Sequence, residues 1–142
     1  MSIFELPKAI QLVIVTPERN LVSQEVDEVT LPGVEGYLGI LPGHTPLLTS
    51  LKIGEIRYRQ GKSVNYLFVS WGFVEVLPDR VTVLADVAET PEDIDVVAAT
   101  KARDEAEKKL KTPDSEFLVA QVALEQALAR MQVAAKAAPL PK

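Results

Sequence analysis

The chain has 142 residues, no cysteine, one histidine and a formal charge of -5. A chain near 150 residues buries roughly 70% of its unfolded surface, so neither disulfides nor a structural metal is required for stability. The missing cysteines exclude thiolate zinc, iron–sulfur and cysteine-nucleophile chemistry, and the lone histidine excludes a multi-histidine metal site. An excess of Asp and Glu (20 against 15 Lys and Arg) argues against a nucleic-acid partner held by phosphate neutralisation.

From the N-terminus, Ile10, Leu12 and Ile14 alternate with Gln11, Val13 and Val15, a strand that stops at Thr16-Pro17. No signal peptide is read in the first 15 residues, which lack a basic start and a cleavage site, and no run approaches the ~20 apolar residues of a membrane span. The expectation is therefore a soluble intracellular protein. Val22, Val26, Val29 and Leu31 mark one further extended stretch. Runs follow at Tyr37–Leu41, Pro46–Leu51, Glu55–Arg59, Ser63–Ser70, Phe73–Leu77 and Arg80–Ala85, with turns at Pro42-Gly43, Gln60-Gly61-Lys62, Trp71-Gly72 and Pro78-Asp79. Short strands at this spacing predict an antiparallel β-sandwich or flattened barrel.

All seven glycines lie between Gly33 and Gly72, and alanine, lysine and glutamate dominate after Pro91. That shift predicts a sandwich domain over 1–88 and an α-helical hairpin over 89–142. Thr90 is a candidate N-cap, with Pro91 at the first helical position and Glu92 and Asp93 at the positive end of the dipole. Ala99, Ala102, Ala106 and Leu110 form one stripe. Thr112-Pro113-Asp114 breaks that helix, and Asp114 or Ser115 can cap the next. There Phe117, Leu124, Met131 and Ala138 recur every seventh residue, with Ala120, Ala127 and Ala134 interleaved as in an a/d pattern. Alanine contacts bury little area, so the hairpin reads either as a moving part or as a fixed appendage.

The sequence holds no G-x-S-x-G, no phosphate-loop and no paired metal-ligand motif. His44 sits in a turn-rich loop without an orienting carboxylate nearby, which favours a surface or interface role. Trp71 reads as a core aromatic more readily than as an exposed anchor. The acidic clusters Asp93/Asp95 and Asp104/Glu105/Glu107 read as solvated helix faces. These readings leave a non-catalytic protein with no cofactor or metal.

The stretch Pro32-Gly33-Val34-Glu35-Gly36-Tyr37-Leu38-Gly39-Ile40-Leu41-Pro42-Gly43-His44-Thr45-Pro46-Leu47-Leu48 closely resembles the epsilon subunit of bacterial F-type ATP synthase. So do Val69–Val76, Val81–Asp86 and Asp93-Ile94-Asp95 with Ala99. The resemblance implies a central-stalk rotor subunit, peripheral on the cytoplasmic face of the bacterial inner membrane and held there by protein partners. It implies a sandwich that binds the gamma subunit and the proteolipid c-ring, coupling ion-driven rotation to ATP synthesis. The interface positions map to Glu35, Tyr37 and His44, with Tyr37 departing from the acidic residue of some relatives.

The resemblance further implies a hairpin able to reach the catalytic alpha/beta head and restrain hydrolysis, with Arg130 and Lys136 as its basic contacts. In some members ATP holds the hairpin folded through an Ile/Leu-Asp-x-x-Arg-Ala motif. Here Ile94, Asp95 and Ala99 match, but Ala98 replaces the arginine, removing the motif's cation. Arg103, five residues on, points about 140° away around the helix. The expectation is weak or absent ATP binding and modest inhibition. Two rivals remain: a non-catalytic adaptor with a dimerising hairpin, and a small-ligand protein or enzyme built on the strands.

Overall fold

The structure, a computed structural model, describes residues 5–112 and 116–136. The chain divides into two compact units, Met1–Ala88 and Glu89–Lys142.

The first unit is a β-sandwich. Strands β1 (Ile10–Val15), β2 (Asn20–Val26), β3 (Glu28–Gly33), β4 (Gly36–Ile40), β5 (Leu47–Leu51), β6 (Gly54–Gln60), β7 (Ser63–Leu77) and β8 (Arg80–Glu89) follow in order. They lie in the order β2-β1-β8-β7-β5-β3-β4, with β6 pairing β3 and β7. The pairs are antiparallel except β1 with β8, which run parallel from Gln11↔Arg80 to Val15↔Leu84. The stretch expected as one strand over Val22–Leu31 is two, because the chain turns at Asp27 between β2 and β3.

A four-strand circuit closes the sandwich: β3 pairs β6, β6 pairs β7, β7 pairs β5, and β5 returns to β3 through Gly33↔Leu51. One strand can serve two partners because β7 is long and changes parity. Before Trp71 its core residues are Leu67 and Val69; beyond Gly72 they are Val74 and Val76. Odd positions give way to even ones, the signature of a bulge that re-aims a strand. Trp71-Gly72, expected as a turn between two strands, is therefore a kink inside one. Trp71 adopts φ 58° and Gly72 φ 144°. A Cβ on Gly72 would run into the Leu84 carbonyl oxygen and approach Ala85 Cα to 2.8 Å. Glycine is required there twice over, for its backbone angle and for the close passage of β8.

Ile10, Leu12 and Ile14 are fully buried, as their alternation predicts, and they join Val29, Leu31, Ile40, Leu51, Ile56, Val81 and Val83 in one core. A charged clamp ties the outer side. Glu28 Oε1 accepts from Arg57 Nη1 and Arg59 Nε, each at 3.2 Å. Arg59 Nη1 also donates to Asp27 Oδ2 at 3.2 Å and to the Gly61 carbonyl at 2.9 Å. The Gly61 amide donates back to Asp27 Oδ2 at 2.7 Å. The β6–β7 turn is thus fastened to the β2–β3 bend.

In the second unit, Thr90 does not start the long helix. It begins a single 3-10 turn, Pro91–Asp93, which ends at Ile94 in extended conformation. Helix α1 (Val96–Leu110) starts at Asp95, whose carboxylate accepts the Ala98 amide at 3.0 Å. Helix α2 (Phe117–Ala134) follows. The expected helix break at Pro113-Asp114, the Asp114 or Ser115 cap and Ala138 lie outside the described residues. The two helices pack on Ala99 and Ala106 of α1 and Ala120 and Ala127 of α2, all buried. The heptad of large residues is not the packing face: Phe117 is exposed, and Leu124 and Met131 are only half-buried.

Gly72→Ala is expected to destabilise the protein by about 3 kcal/mol, combining backbone strain with a contact that β8 cannot relieve. Equilibrium denaturation measures it. A second outcome concerns pH. Hydrogen bonds from Arg57 and then Arg59 hold the Glu28 carboxyl below its ordinary value of 4.5. A lowered folded-state pKa contributes stability that is full above the unfolded value and lost as pH falls through the folded one. Glu28→Gln should therefore weaken the protein at pH 7, and its deficit against wild type should shrink steadily below about pH 4.5.

Candidate functional site

The Gly33–Gly36 reversal joins β3 to β4 and lifts Val34 and Glu35 into solvent, with Gly36 at φ 130°. The Val34 amide donates to the Ser50 carbonyl at 3.2 Å, which fixes the tip against β5. Tyr37 is exposed, but its hydroxyl accepts the Glu55 amide at 3.1 Å and lies close over Gly54. The ring is therefore a fixed part of the surface. Glu35 and Tyr37 line one hollow of about 260 Å³ together with Val34, Leu38, Leu47 and Thr49.

His44 is not part of that hollow. It lies beyond the far end of β4, whose five residues span about 13 Å by strand rise from Gly36. Its amide donates to the Leu41 carbonyl at 3.1 Å, and Nδ1 sits 2.6 Å from the Thr45 carbonyl oxygen. Because a carbonyl oxygen only accepts, that contact makes Nδ1 the donor nitrogen. The next residue back, Gly43, donates its amide to the Pro78 carbonyl at 2.7 Å, so the loop is tied to the β7–β8 turn. The structure therefore joins two of the three candidate interface residues and places the third at the other end of the same strand.

A larger surface was missed in the sequence. Leu48 is 72% exposed, Phe73 57%, Leu84 53% and Trp71 42%. Trp71, expected in the core, is on the surface because the bulge at β7 turns it out. Leu48 stands opposite Glu75 and Ser50 opposite Phe73 across β5 and β7, so these four side chains share the outer face. Phe73 and Leu84 line a hollow of about 310 Å³ with Val15, Pro17 and Asp86. Strand parity was the available signal: once Val74 and Val76 face the core, Phe73 and Glu75 must face out.

The second unit holds a cleft of about 340 Å³ between its helices. Asp95, Ala98 and Ala99 line it, whereas Ile94, although buried, does not. Arg130 is the one basic residue among the lining side chains, and its Nε donates to Glu89 Oε1 at 2.8 Å. The acids also serve the chain's own backbone. Asp95 caps α1, and Asp93 Oδ2 accepts the Thr90 amide at 3.4 Å. Lys136 is exposed just after α2. Among the described residues no group of His, Asp and Glu side chains is placed to hold a metal ion, and no helix is long and apolar enough to cross a membrane.

A sandwich with an apolar outer strip, followed in the chain by an alanine-packed pair of long helices, defines the class as a two-unit β-plus-α protein. Comparison with known families resolves it further. Residues 9–91 match the ATP synthase Delta/Epsilon chain beta-sandwich domain, and residues 92–135 match the long alpha-helix domain of the same chain. The ATP synthase epsilon chain 2 of Syntrophotalea carbinolica is 48% identical over 134 residues, covering 92% of this chain and 97% of that protein. The epsilon chain of Syntrophobacter fumaroxidans is 48% identical over 133 residues, covering 92% and 99%. The fold is also similar to a chain in the Euglena gracilis mitochondrial ATP synthase structure that includes OSCP, F1 and c-ring. The TM-score there is 0.81 at 26% identity, covering 91% of this chain and 83% of that one. The chain belongs to the epsilon-chain family of F-type ATP synthases.

Proposed function

We propose that this chain is a non-catalytic rotor subunit of the central stalk, peripheral on the cytoplasmic face of the bacterial inner membrane. The exposed apolar strip on the sandwich is the observation that carries the proposal. A soluble monomer gains nothing by presenting Leu48, Phe73 and Leu84 to water, and a patch of that kind marks a protein interface. Its flanking acids, Glu75 and Asp86, suit a partner helix with an apolar stripe and basic edges. The gamma subunit is the partner assigned to this strip. The polar tip at Glu35 and Tyr37, with His44 at the other end of β4, is assigned to the loops of the proteolipid c-ring. The similar chain in the Euglena assembly, which contains F1 and c-ring, supports a place in an assembly of that kind.

In this role the subunit transmits torque through shape and contact, coupling ion-driven rotation to ATP synthesis. The hairpin acts on the catalytic alpha/beta head as a modest brake on hydrolysis. Its basic contacts are few, and Arg130 is engaged by Glu89 while the hairpin is folded. Nucleotide binding in the cleft is weak or absent in this reading. Ala98 brings no charge, and phosphate would have to compete with Glu89 for the cleft's cation.

Reconstitution with gamma and the catalytic head tests the function. Phe73→Glu or Leu48→Glu should weaken association with gamma by about tenfold or more, as expected for charge placed in an apolar interface core. Truncation after Ala88 should leave assembly intact and raise ATP hydrolysis. Unchanged assembly in both variants would remove the strip from the interface, and unchanged hydrolysis after truncation would remove the brake. For the cleft, titration calorimetry of the full chain with ATP should show no saturable binding at micromolar concentrations. Tight, stoichiometric capture would reverse the nucleotide reading.

A further inference from the structure

The hairpin closes on the smallest side chains available. Ala99, Ala106, Ala120 and Ala127 supply most of the buried positions of the two helices, Val133 being the larger exception, and a cleft of about 340 Å³ stays open along part of the seam. At roughly 25 cal/mol per Å², so little apolar area gives weak closure and poor register. Something more specific has to fix how α2 lies against the rest of its unit.

One interaction has the required properties. Arg130, a little over one turn from the end of α2, meets Glu89, 41 residues away and ahead of α1. Nε to Oε1 is 2.8 Å and Nη2 to Oε2 is 3.5 Å, so each guanidinium nitrogen faces its own carboxylate oxygen. Both side chains are about 70% shielded, with 30% and 27% of their surface exposed. The other ion pairs described in this unit lack that combination. Lys109–Glu116 spans 4.0 Å between side chains exposed to about 60%, and Arg103–Asp104 joins adjacent residues. A short, partly shielded, fork-like pair is the kind that adds geometry as well as energy.

We infer that Glu89–Arg130 is the latch of the folded hairpin: an anion supplied by the chain itself holds α2 closed, and opening has to release it. The inference rests on the proposed reading of the hairpin as an element that opens. It adds that the folded form is kept by an internal carboxylate rather than by a ligand, and that Arg130 becomes available to an outside partner only when Glu89 lets it go.

Amide hydrogen exchange on the full-length chain tests the latch. Glu89→Gln should speed exchange across α2 about threefold to fivefold, the range a partly exposed ion pair commands. Amides of β1 and β8 should be unaffected, which reports that the sandwich remains folded. Reversing both charges, Glu89→Arg with Arg130→Glu, should return most of the protection, whereas either reversal alone should not. Unaltered α2 exchange in Glu89→Gln, or no recovery in the double reversal, overturns the latch. Should Glu89→Gln disturb the sandwich, Glu89→Asp keeps the charge on a shorter arm and is expected to give an intermediate rate. Hydrolysis by the reconstituted complex separates the two levels. Faster exchange with hydrolysis unaffected by truncation keeps the latch and removes the brake. Unaltered exchange with hydrolysis raised by truncation does the reverse.

Discussion

The parity change at Trp71-Gly72 is the constraint on which the sandwich depends. Without it, β7 would present either Leu67 and Val69 or Val74 and Val76 to the core, never both pairs. It would then satisfy β6 or β5, and the circuit through β3 would stay open. The kink places an aromatic residue at φ 58°, a conformation that costs about 1 kcal/mol. The cost is offset by the ladders on both sides of the bend. The same kink determines what faces out, because turning Val74 inward turns Phe73 and Glu75 outward. Core closure and the candidate partner surface are two results of one backbone event.

The helical unit follows a different physical rule. Its packing stripe is alanine, which favours helix formation locally but buries little on contact. Such a hairpin forms readily as two helices and is held together weakly as a pair. Asp95 starts α1 cleanly by capping the Ala98 amide. The Glu89–Arg130 pair then contributes what the alanines do not, a contact that depends on one register. Good local propensity with poor mutual adhesion is the combination a reversible element needs. A leucine-packed seam would make the same helices permanent.

Much of this architecture was legible in the sequence, and the failures have identifiable causes. Alternation at Ile10, Leu12 and Ile14 gave the first strand because one face of β1 is wholly buried, so period two is enforced by the core. Trp71-Gly72 reads as a turn because a glycine interrupts the strand pattern there, and the same signal fits a bulge, which differs in what the flanking strands pair with. That is long-range information. Thr90-Pro91 carries a good helix-start signal, yet Ile94 is buried in an extended conformation and passes the start to Asp95. The alanine stripes were legible as the packing face, since Ala99, Ala106, Ala120 and Ala127 are all buried. Of the larger residues interleaved with them, Phe117 is exposed while Leu124 and Met131 are half-buried at the margin of the seam. At the candidate interface, Glu35, Tyr37 and His44 were legible through family resemblance, whereas Leu48, Phe73 and Leu84 required strand register.

Many of the charges among the described residues are spent on holding the fold together. Glu28, Asp27, Arg57 and Arg59 fasten strands to turns, Asp93 and Asp95 hold backbone amides, and Glu89 engages Arg130. The four charged residues around the helical cleft, Glu89, Asp93, Asp95 and Arg130, are all engaged in contacts within the chain. The surface of the sandwich is instead apolar on its outer strip and acidic at the edges, at Glu75 and Asp86. Apolar area supplies adhesion and the acidic edges supply selectivity, since a wrong partner with acidic flanks is repelled before the strip can be covered. Stiffness inside and selectivity outside are thus what the side chains of the sandwich provide.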